Sequence, residues 1–334
     1  MAQTTHSTAD DPVRASTDAA RAVLMIRPTA FACNEVTRPT NPYQSSDPDD
    51  NPDRTAAVAL KEFDLAVATL RKHGIDVQQH SGRTTSQLPD EIFPNNWIST
   101  HPDGTAVLYP MMAWNRRQER RRDVLEQLQQ QADGFRIDRL IDLSHLEDKN
   151  CFLEGTGSLV FDHSEQLAFA CFSPRTHTDA LRAFGREMDY GIIAFNAKDR
   201  NGHAIYHTNV MMSVGEEFAV VCLDSIDAVD ERLRLLTRLE RSGREIIEIR
   251  MPQLSSFCGN LLQLRSGAKR IIIMSRHALD ELDEQQVEAL RRHGELVTFD
   301  LRTIETHGGG SIRCMLAELL LPRKSIPTGT QTRA

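Results

Sequence analysis

The stretch Tyr206-His207-Thr208-Asn209-Val210-Met211-Met212-Ser213-Val214 leads, across Gly215-Glu216-Glu217, into Phe218-Ala219-Val220-Val221-Cys222-Leu223. Two apolar runs, Val210–Val214 and Phe218–Leu223, rich in β-branched residues and parted by a short turn, read as paired strands. The following segment, Ile226–Gly243, is amphipathic with helical spacing. It closes on Arg241-Ser242-Gly243, a cation and then glycine, as a helix stop requires. One strand–turn–strand–helix unit with a return strand is therefore legible.

The same unit recurs on both sides. Strand-like runs lie at Thr105–Met111, at Leu159–Asp162 with Leu167–Phe172, and at Leu261–Leu264 with Arg270–Met274. Amphipathic stretches lie at Lys61–Gly74, Arg121–Gln131, Thr178–Met188 and Asp283–Gly294, and the stop signal repeats in Lys72-His73-Gly74 and Arg292-His293-Gly294. Asn96, Glu154, His207, Asn260 and Cys314 each stand at or beside a strand or helix start, separated by 58, 53, 53 and 54 residues. Self-similarity at a fixed period points to radial or stacked repetition. Ordinary α/β folds also alternate strands and helices, but near-equal steps are not expected of them. The first strand, Ala22–Arg27, is expected to join the last module and close a ring. Equivalent positions in such a ring converge on its axis, bringing Cys314, His207 and Glu154 into one pocket.

Composition bounds the function. The chain of 334 residues is 40% hydrophobic and 26% charged, an ordinary globular balance. A net charge of −8 argues against nucleic acid or an anionic membrane as partner. No apolar stretch approaches the ~18 residues of a membrane span. Met1 to Ala20 lacks an apolar signal core and reads as a disordered leader. Residues 21–323 read as a single catalytic domain and 324–334 as a flexible tail. Cys33, Cys151, Cys171, Cys222, Cys258 and Cys314 are scattered without metal-ligand spacing, as in a cytoplasmic protein that keeps its thiols reduced. No metal, nucleotide or other cofactor motif is present; the glycines at 308–310 lack the Lys-Ser/Thr of a phosphate loop.

The chemistry concentrates in Gly308-Gly309-Gly310-Ser311-Ile312-Arg313-Cys314. Three glycines permit a sharp turn and close approach to a ligand. The thiol precedes an apolar run, Met315–Leu320, expected to be helical, whose N-terminus would favour thiolate. By itself the run also suits a Gly-rich turn with a buried, inert cysteine. With His207 and Glu154 it supplies a nucleophile, an acid/base and a carboxylate.

Several ordered motifs resemble the guanidine-modifying superfamily of arginine deiminase, dimethylarginine hydrolase and the amidinotransferases, and within it the citrulline-utilisation hydrolase branch. They are Phe93-Pro94-Asn95-Asn96-Trp97, Asn115-Arg116-Arg117, Leu153-Glu154-Gly155, Ser173-Pro174-Arg175-Thr176, Tyr206–Val210 and Gly308–Cys314. The resemblance spans residues 22–322 and implies a five-bladed α/β propeller, or pentein, of pseudo-fivefold ββαβ modules. It implies Cys314 as nucleophile, His207 as general acid/base, and Glu154 as support for the histidine and substrate nitrogens. Phe93, Asn95, Asn96, Arg117 and Arg175 are implied at the substrate, the arginines gripping its α-carboxylate, with Arg116 competing for the role of Arg117.

One departure bears on substrate. Relatives usually place acids where this chain has Asn95 and Asn96. A buried guanidinium without a carboxylate is costly, whereas a ureido group offers an acceptor and donors that an amide matches. The expected activity is therefore cysteine-dependent hydrolysis of a C–N bond in a ureido or guanidino amino acid, citrulline-like by preference. Glu91, Asp142 or Glu147 could instead supply charge. Glu154 is followed by Gly155-Thr156-Gly157-Ser158, where many relatives have a neighbouring acid, which points the same way. Dimethylarginine hydrolase, arginine deiminase and amidinotransferase chemistry remain alternatives, as does a non-catalytic propeller that only binds. The expected partner is a small-molecule amino acid, and a homo-oligomer is compatible with the reading. The polar stretch Pro39–Thr55 reads as a lid over the pocket or as disorder.

Overall fold

The computed structural model describes residues 19–46, 51–83 and 88–324. Most of the expected leader (1–20) and tail (324–334), and positions 47–50 within the 39–55 stretch, lie outside the described residues.

The chain begins with β1 (Ala22–Arg27), α1 (Pro52–Lys72) and β2 (Asp76–Ser81). Next come β3 (Ile98–Thr100), β4 (Thr105–Leu108), α2 (Arg122–Gln130) and β5 (Arg139–Asp142). A short α3 (Gly155–Ser158) leads into β6 (Val160–Asp162), β7 (Leu167–Cys171), α4 (Thr178–Met188) and β8 (Gly191–Phe195). Likewise α5 (Thr208–Met211) leads into β9 (Met212–Val214), β10 (Phe218–Val221), α6 (Val229–Arg241) and β11 (Glu245–Glu248). Finally come α7 (Met251–Leu254), β12 (Leu262–Ser266), β13 (Lys269–Ser275), α8 (Arg276–Glu281), α9 (Glu284–His293), β14 (Glu295–Phe299) and β15 (Ala317–Glu318).

These strands form five three-stranded mixed sheets, giving an α/β fold with one pattern repeated. In four of the sheets a central strand pairs antiparallel with the strand before it and parallel with the return strand after its helix. The fifth sheet obeys the same rule across the length of the chain. There β1 pairs parallel with β2 and antiparallel with β15, Val23 opposite Glu318 and Leu24 opposite Ala317. The first strand thus joins the last segment, as its sequence suggested. Between sheets, β15 lies beside β3, β6 beside β9, and β9 beside β12. Arg265 of β12 donates its backbone N–H to the Ala20 carbonyl ahead of β1 (2.9 Å).

Local chemistry fixes the element ends. Asn51 caps α1 by accepting from the Arg54 N–H, and Pro52 at its first position costs no hydrogen bond, so α1 begins well ahead of the expected Lys61. Asp283 and Gln286 form a reciprocal capping box on α9. The expected helix after Cys314 is absent. A 3₁₀ turn, Ile312–Met315, is followed by β15, because pairing with β1 satisfies the backbone while Leu316, Leu319 and Leu321 enter the core.

A short helical turn precedes the first strand of four sheets: Pro94–Asn96, α3, α5 and Ile312–Met315. Pro94–Asn96 packs against both α3 and Ile312–Met315, and α3 against α5. Asn96 ends the first turn, Glu154 and His207 cap the next two, and Cys314 lies within the fourth. The sequence period is therefore the period of these turns.

Candidate active site

The residues spaced at that period meet. Cys314 is buried, and its Sγ receives Asn260 Nδ2 at 3.3 Å and Asn209 Nδ2 at 3.6 Å. Asn260 is fixed in turn, accepting from the Arg313 N–H (3.2 Å) and donating to the Asn209 carbonyl (3.0 Å). His207 Nε2 lies 2.9 Å from Glu154 Oε2, and Glu154 Oε1 accepts the Met112 N–H at 3.1 Å. Glu154 also faces Arg175 Nη1 at 3.4 Å and Arg116 Nη1 at 3.8 Å, all these side chains being buried.

Burial and charge set the protonation states. Burial alone would raise the Glu154 carboxyl, but Arg175, His207 and Arg116 together hold it well below the usual carboxylate range. Burial pushes His207 down to about 4, against the pull of Glu154, so its imidazole is neutral at pH 7. Burial likewise pushes the Cys314 thiol up, partly offset by the Asn260 and Asn209 amides. No helix N-terminus supports a thiolate here, contrary to expectation; two amide N–H groups stand in its place. The resting site is thus a thiol, a neutral imidazole and a carboxylate.

Cys314 and His207 face one pocket with Phe93, Asn96, Arg175, Tyr206 and the three glycines. Glycine is required where the walls come closest. A Cβ on Gly157 would stand 2.5 Å from Asn96 Nδ2 and 2.7 Å from the His207 ring. Gly309 has φ +62° and carries its carbonyl to the Tyr206 hydroxyl (2.5 Å) and to Asn41 Nδ2 (3.2 Å). Part of the 39–55 stretch lies on this loop, with Gln44 Nε2 donating to the Gly308 carbonyl at 3.1 Å. Thr37 and Thr40 accept from Arg175 Nη2 at 3.2 and 2.9 Å, and the Arg175 guanidinium stands 5.1 Å above the Tyr206 ring.

The two candidate arginines separate. Arg117 is turned away from the pocket: its guanidinium donates to the Met111 carbonyl (3.1 Å) and lies 3.5 Å from Glu147. Arg116 lines the pocket instead, held by Glu119 (2.8 Å) and donating to Asn96 Oδ1 (2.9 Å). Asn96 Oδ1 is thereby occupied, while its Nδ2 and both amide atoms of Asn95 are buried without a hydrogen-bond partner.

The acids expected as substitutes for Asn95 and Asn96 are engaged elsewhere. Glu91 accepts from Thr29 and Arg83, Asp142 pairs with Arg122, and Glu147 pairs with Arg120. Asp90, which the sequence reading missed, does line the pocket. Its Oδ2 accepts from Asn34 Nδ2 (2.8 Å) and Thr37 Oγ1 (3.2 Å), and its buried Oδ1 is unpartnered.

Residues 27–321 match the family described as N,N dimethylarginine dimethylhydrolase, eukaryotic. The chain belongs to this family. It is accordingly a member of the guanidine-modifying, or pentein, superfamily and a hydrolase acting on non-peptide C–N bonds. Solved structures share its fold at low identity. The N-terminal domain of ArgZ, covalently bound to a reaction intermediate, is 15% identical with a TM-score of 0.68, the match covering 90% of this chain and 99% of that one. Full-length ArgZ, an arginine dihydrolase from the ornithine–ammonia cycle in cyanobacteria, is 16% identical with a TM-score of 0.68; the match covers 90% of this chain and 41% of that one. A dimethylarginine dimethylaminohydrolase adduct with 4-chloro-2-hydroxymethylpyridine is 12% identical with a TM-score of 0.61, covering 90% and 100% of the two chains. No curated protein matches this chain by sequence. Among the described residues no helix is long and apolar enough to cross a membrane.

Proposed function

We propose that the family member is a ureido amino-acid hydrolase in which Cys314 attacks the ureido carbon. The observation that carries this reading is the amide of Asn96. Its oxygen is committed to Arg116, so the end left for a ligand is an N–H donor. A donor matches a ureido oxygen, whereas a guanidinium has only N–H groups to offer. The unpartnered Asp90 Oδ1 would accept a ureido N–H.

In the first step the Cys314 proton passes to His207 as Sγ bonds to carbon, a transfer suited to an imidazole that rests neutral. The carbon–nitrogen bond then breaks, and His207 returns its proton to the departing amine. Water, deprotonated by His207, cleaves the remaining S-carbamoyl group to carbamate, which falls to ammonia and carbon dioxide, and the imidazole returns the proton to sulfur. Glu154 keeps the imidazole oriented and stabilises its charged form while it holds the proton. Asn260 and Asn209 stabilise sulfur as it gives up its proton. Arg175 borders both this pocket and a neighbouring cavity with Val36, Thr40, Met112, Ala113 and Trp114, which suits it to the amino-acid end of the substrate.

A second reading rests on Asp90. Its unpartnered carboxylate oxygen would pair a guanidinium, allowing arginine to be converted first to a ureido compound and then onward. Sheet contacts from β15–β3 through β9–β12 to Arg265–Ala20 support closure of the five sheets into the expected propeller, with residues 21–323 as one unit. Six unpaired cysteines, five of them buried, support a reducing, cytoplasmic setting. Product analysis with citrulline, arginine and dimethylarginine, beside Cys314→Ala, tests the proposal. Ornithine and ammonia from citrulline, lost in the variant, is the expected result. Turnover of arginine compounds with citrulline untouched would overturn it.

A further inference from the structure

Outside the pocket, Cys151, His177 and Asp179 bring one ligand atom each within 4.8 Å of one another. The thiol is buried, and the other two side chains are exposed. We infer that these three side chains form a site for a thiophilic divalent cation of the zinc class, with a fourth position open to water.

The donor set decides the class. Thiolate, imidazole and carboxylate together suit zinc-like ions, whereas calcium and magnesium select oxygen. Bonds of about 2.0–2.3 Å place tetrahedral ligands roughly 3.3–3.8 Å apart. Rotation of the exposed His177 and Asp179 side chains closes the remaining distance. Cys151 Sγ now lies 3.5 Å from the Lys149 carbonyl as a donor, and His177 Nδ1 accepts the Asp179 N–H at 3.2 Å. Binding exchanges these weak bonds for metal bonds and releases the Cys151 proton to solvent.

Position gives the site a consequence. Cys151 lies three residues before Glu154, and His177 two residues after Arg175. The segments are joined by His177 N–H to the Phe152 carbonyl (2.8 Å) and by a bridge between Leu153 and Thr176. An ion there would staple the two segments that present the buried Glu154–Arg175 pair. Spacing alone could not have disclosed it, because the cysteine and the histidine come from different segments.

The test uses the full chain carrying Cys314→Ala, so that the nucleophile itself cannot hold metal. The chain is titrated with Co²⁺ and then Zn²⁺, and compared with the same chain also carrying Cys151→Ser or His177→Ala. The expected result is a thiolate-to-cobalt charge-transfer band with tetrahedral d–d absorption, displaced by Zn²⁺. Each added substitution should lower apparent affinity by more than about tenfold. Zinc should raise the melting temperature of the parent and not of the His177→Ala chain, each compared with its own metal-free melt. The inference is overturned by the absence of a thiolate band, or by a band unchanged in either variant, as a site on the half-buried Cys33 would give.

Discussion

Replacing Glu154 by Gln tests the electrostatic core of the site, because it removes one charge and almost no volume. Arg175 at 3.4 Å and Arg116 at 3.8 Å attract the carboxylate by about 5 and 4 kcal/mol at an effective dielectric near 20. Desolvation of buried ions offsets several kcal/mol of this. The loss falls unevenly. Arg116 keeps Glu119 at 2.8 Å and Asp90 at 3.6 Å, whereas Arg175 is left with neutral neighbours, Thr37, Thr40 and the Tyr206 ring. An uncompensated buried charge costs about 3–5 kcal/mol, which for a domain of this size is a fall in Tm of roughly 5–8 °C. The carboxyl's folded pKa lies below its ordinary 4.5, so its contribution is complete above that pH and is lost as pH falls through the folded value. The gap between wild type and Glu154→Gln should be flat from about pH 5 to 8 and narrow below about 4.5. Urea melts followed by circular dichroism across that range supply the measurement. Adding Arg175→Met should recover at least about 1 kcal/mol by removing the stranded cation. A Glu154→Gln protein within about 1 kcal/mol of wild type at pH 7, or a double variant no better than the single, would refute the reasoning.

Asn96→Asp replaces the free N–H donor by an acceptor and should reduce kcat/KM for citrulline by about 10- to 200-fold, the loss of a buried polar match, while favouring arginine in competition assays. Asn260→Ala removes an N–H from Cys314 Sγ and should move the pH profile of iodoacetamide labelling to higher pH; an unmoved profile would deny the amide its role. Burial lowers His207 to about 4 from 6.5, so its contribution to stability is complete above pH 6.5 and is lost as pH falls toward 4, by about 3 kcal/mol. His207→Gln should abolish that part of the acid limb in equilibrium melts. Gly309→Ala, at φ +62° with its Cβ 2.5 Å from Asn41 Nδ2, should cost about 1–3 kcal/mol and loosen the 37–46 segment, read as faster proteolysis there.

Much of this arrangement is legible in the sequence. The near-constant interval from Asn96 to Cys314 located every turn that carries a periodic polar residue. The interval works because the repeated units place the same short helical turn ahead of β3, β6, β9 and β15. Adjacent residues in an irregular turn were harder. Arg116 and Arg117 differ only by one step in a 3₁₀ turn, and no periodicity says which points inward. The signal available was Glu119 three residues on, the carboxylate that a buried arginine needs. Asp90 gave no signal, since its importance comes from Asn34, Thr37 and Arg116, distant in sequence. Met315–Leu320 misled because a short apolar run suits a strand as well as a helix, and the deciding partner, β1, lies some 290 residues away.

The pairing of β15 with β1 has a consequence for synthesis. Cys314 leaves the ribosome after Glu154, His207, Asn209 and Asn260 have all been made, and β1 waits through most of translation for its second neighbour. On the proposed roles, the nascent chain therefore holds an acid/base pair without its nucleophile. Reactive sulfur arrives together with the segment that buries it. Until then one edge of β1 stays unpaired, and on the proposed mechanism a chain stalled short of residue 314 is inert as well as incomplete.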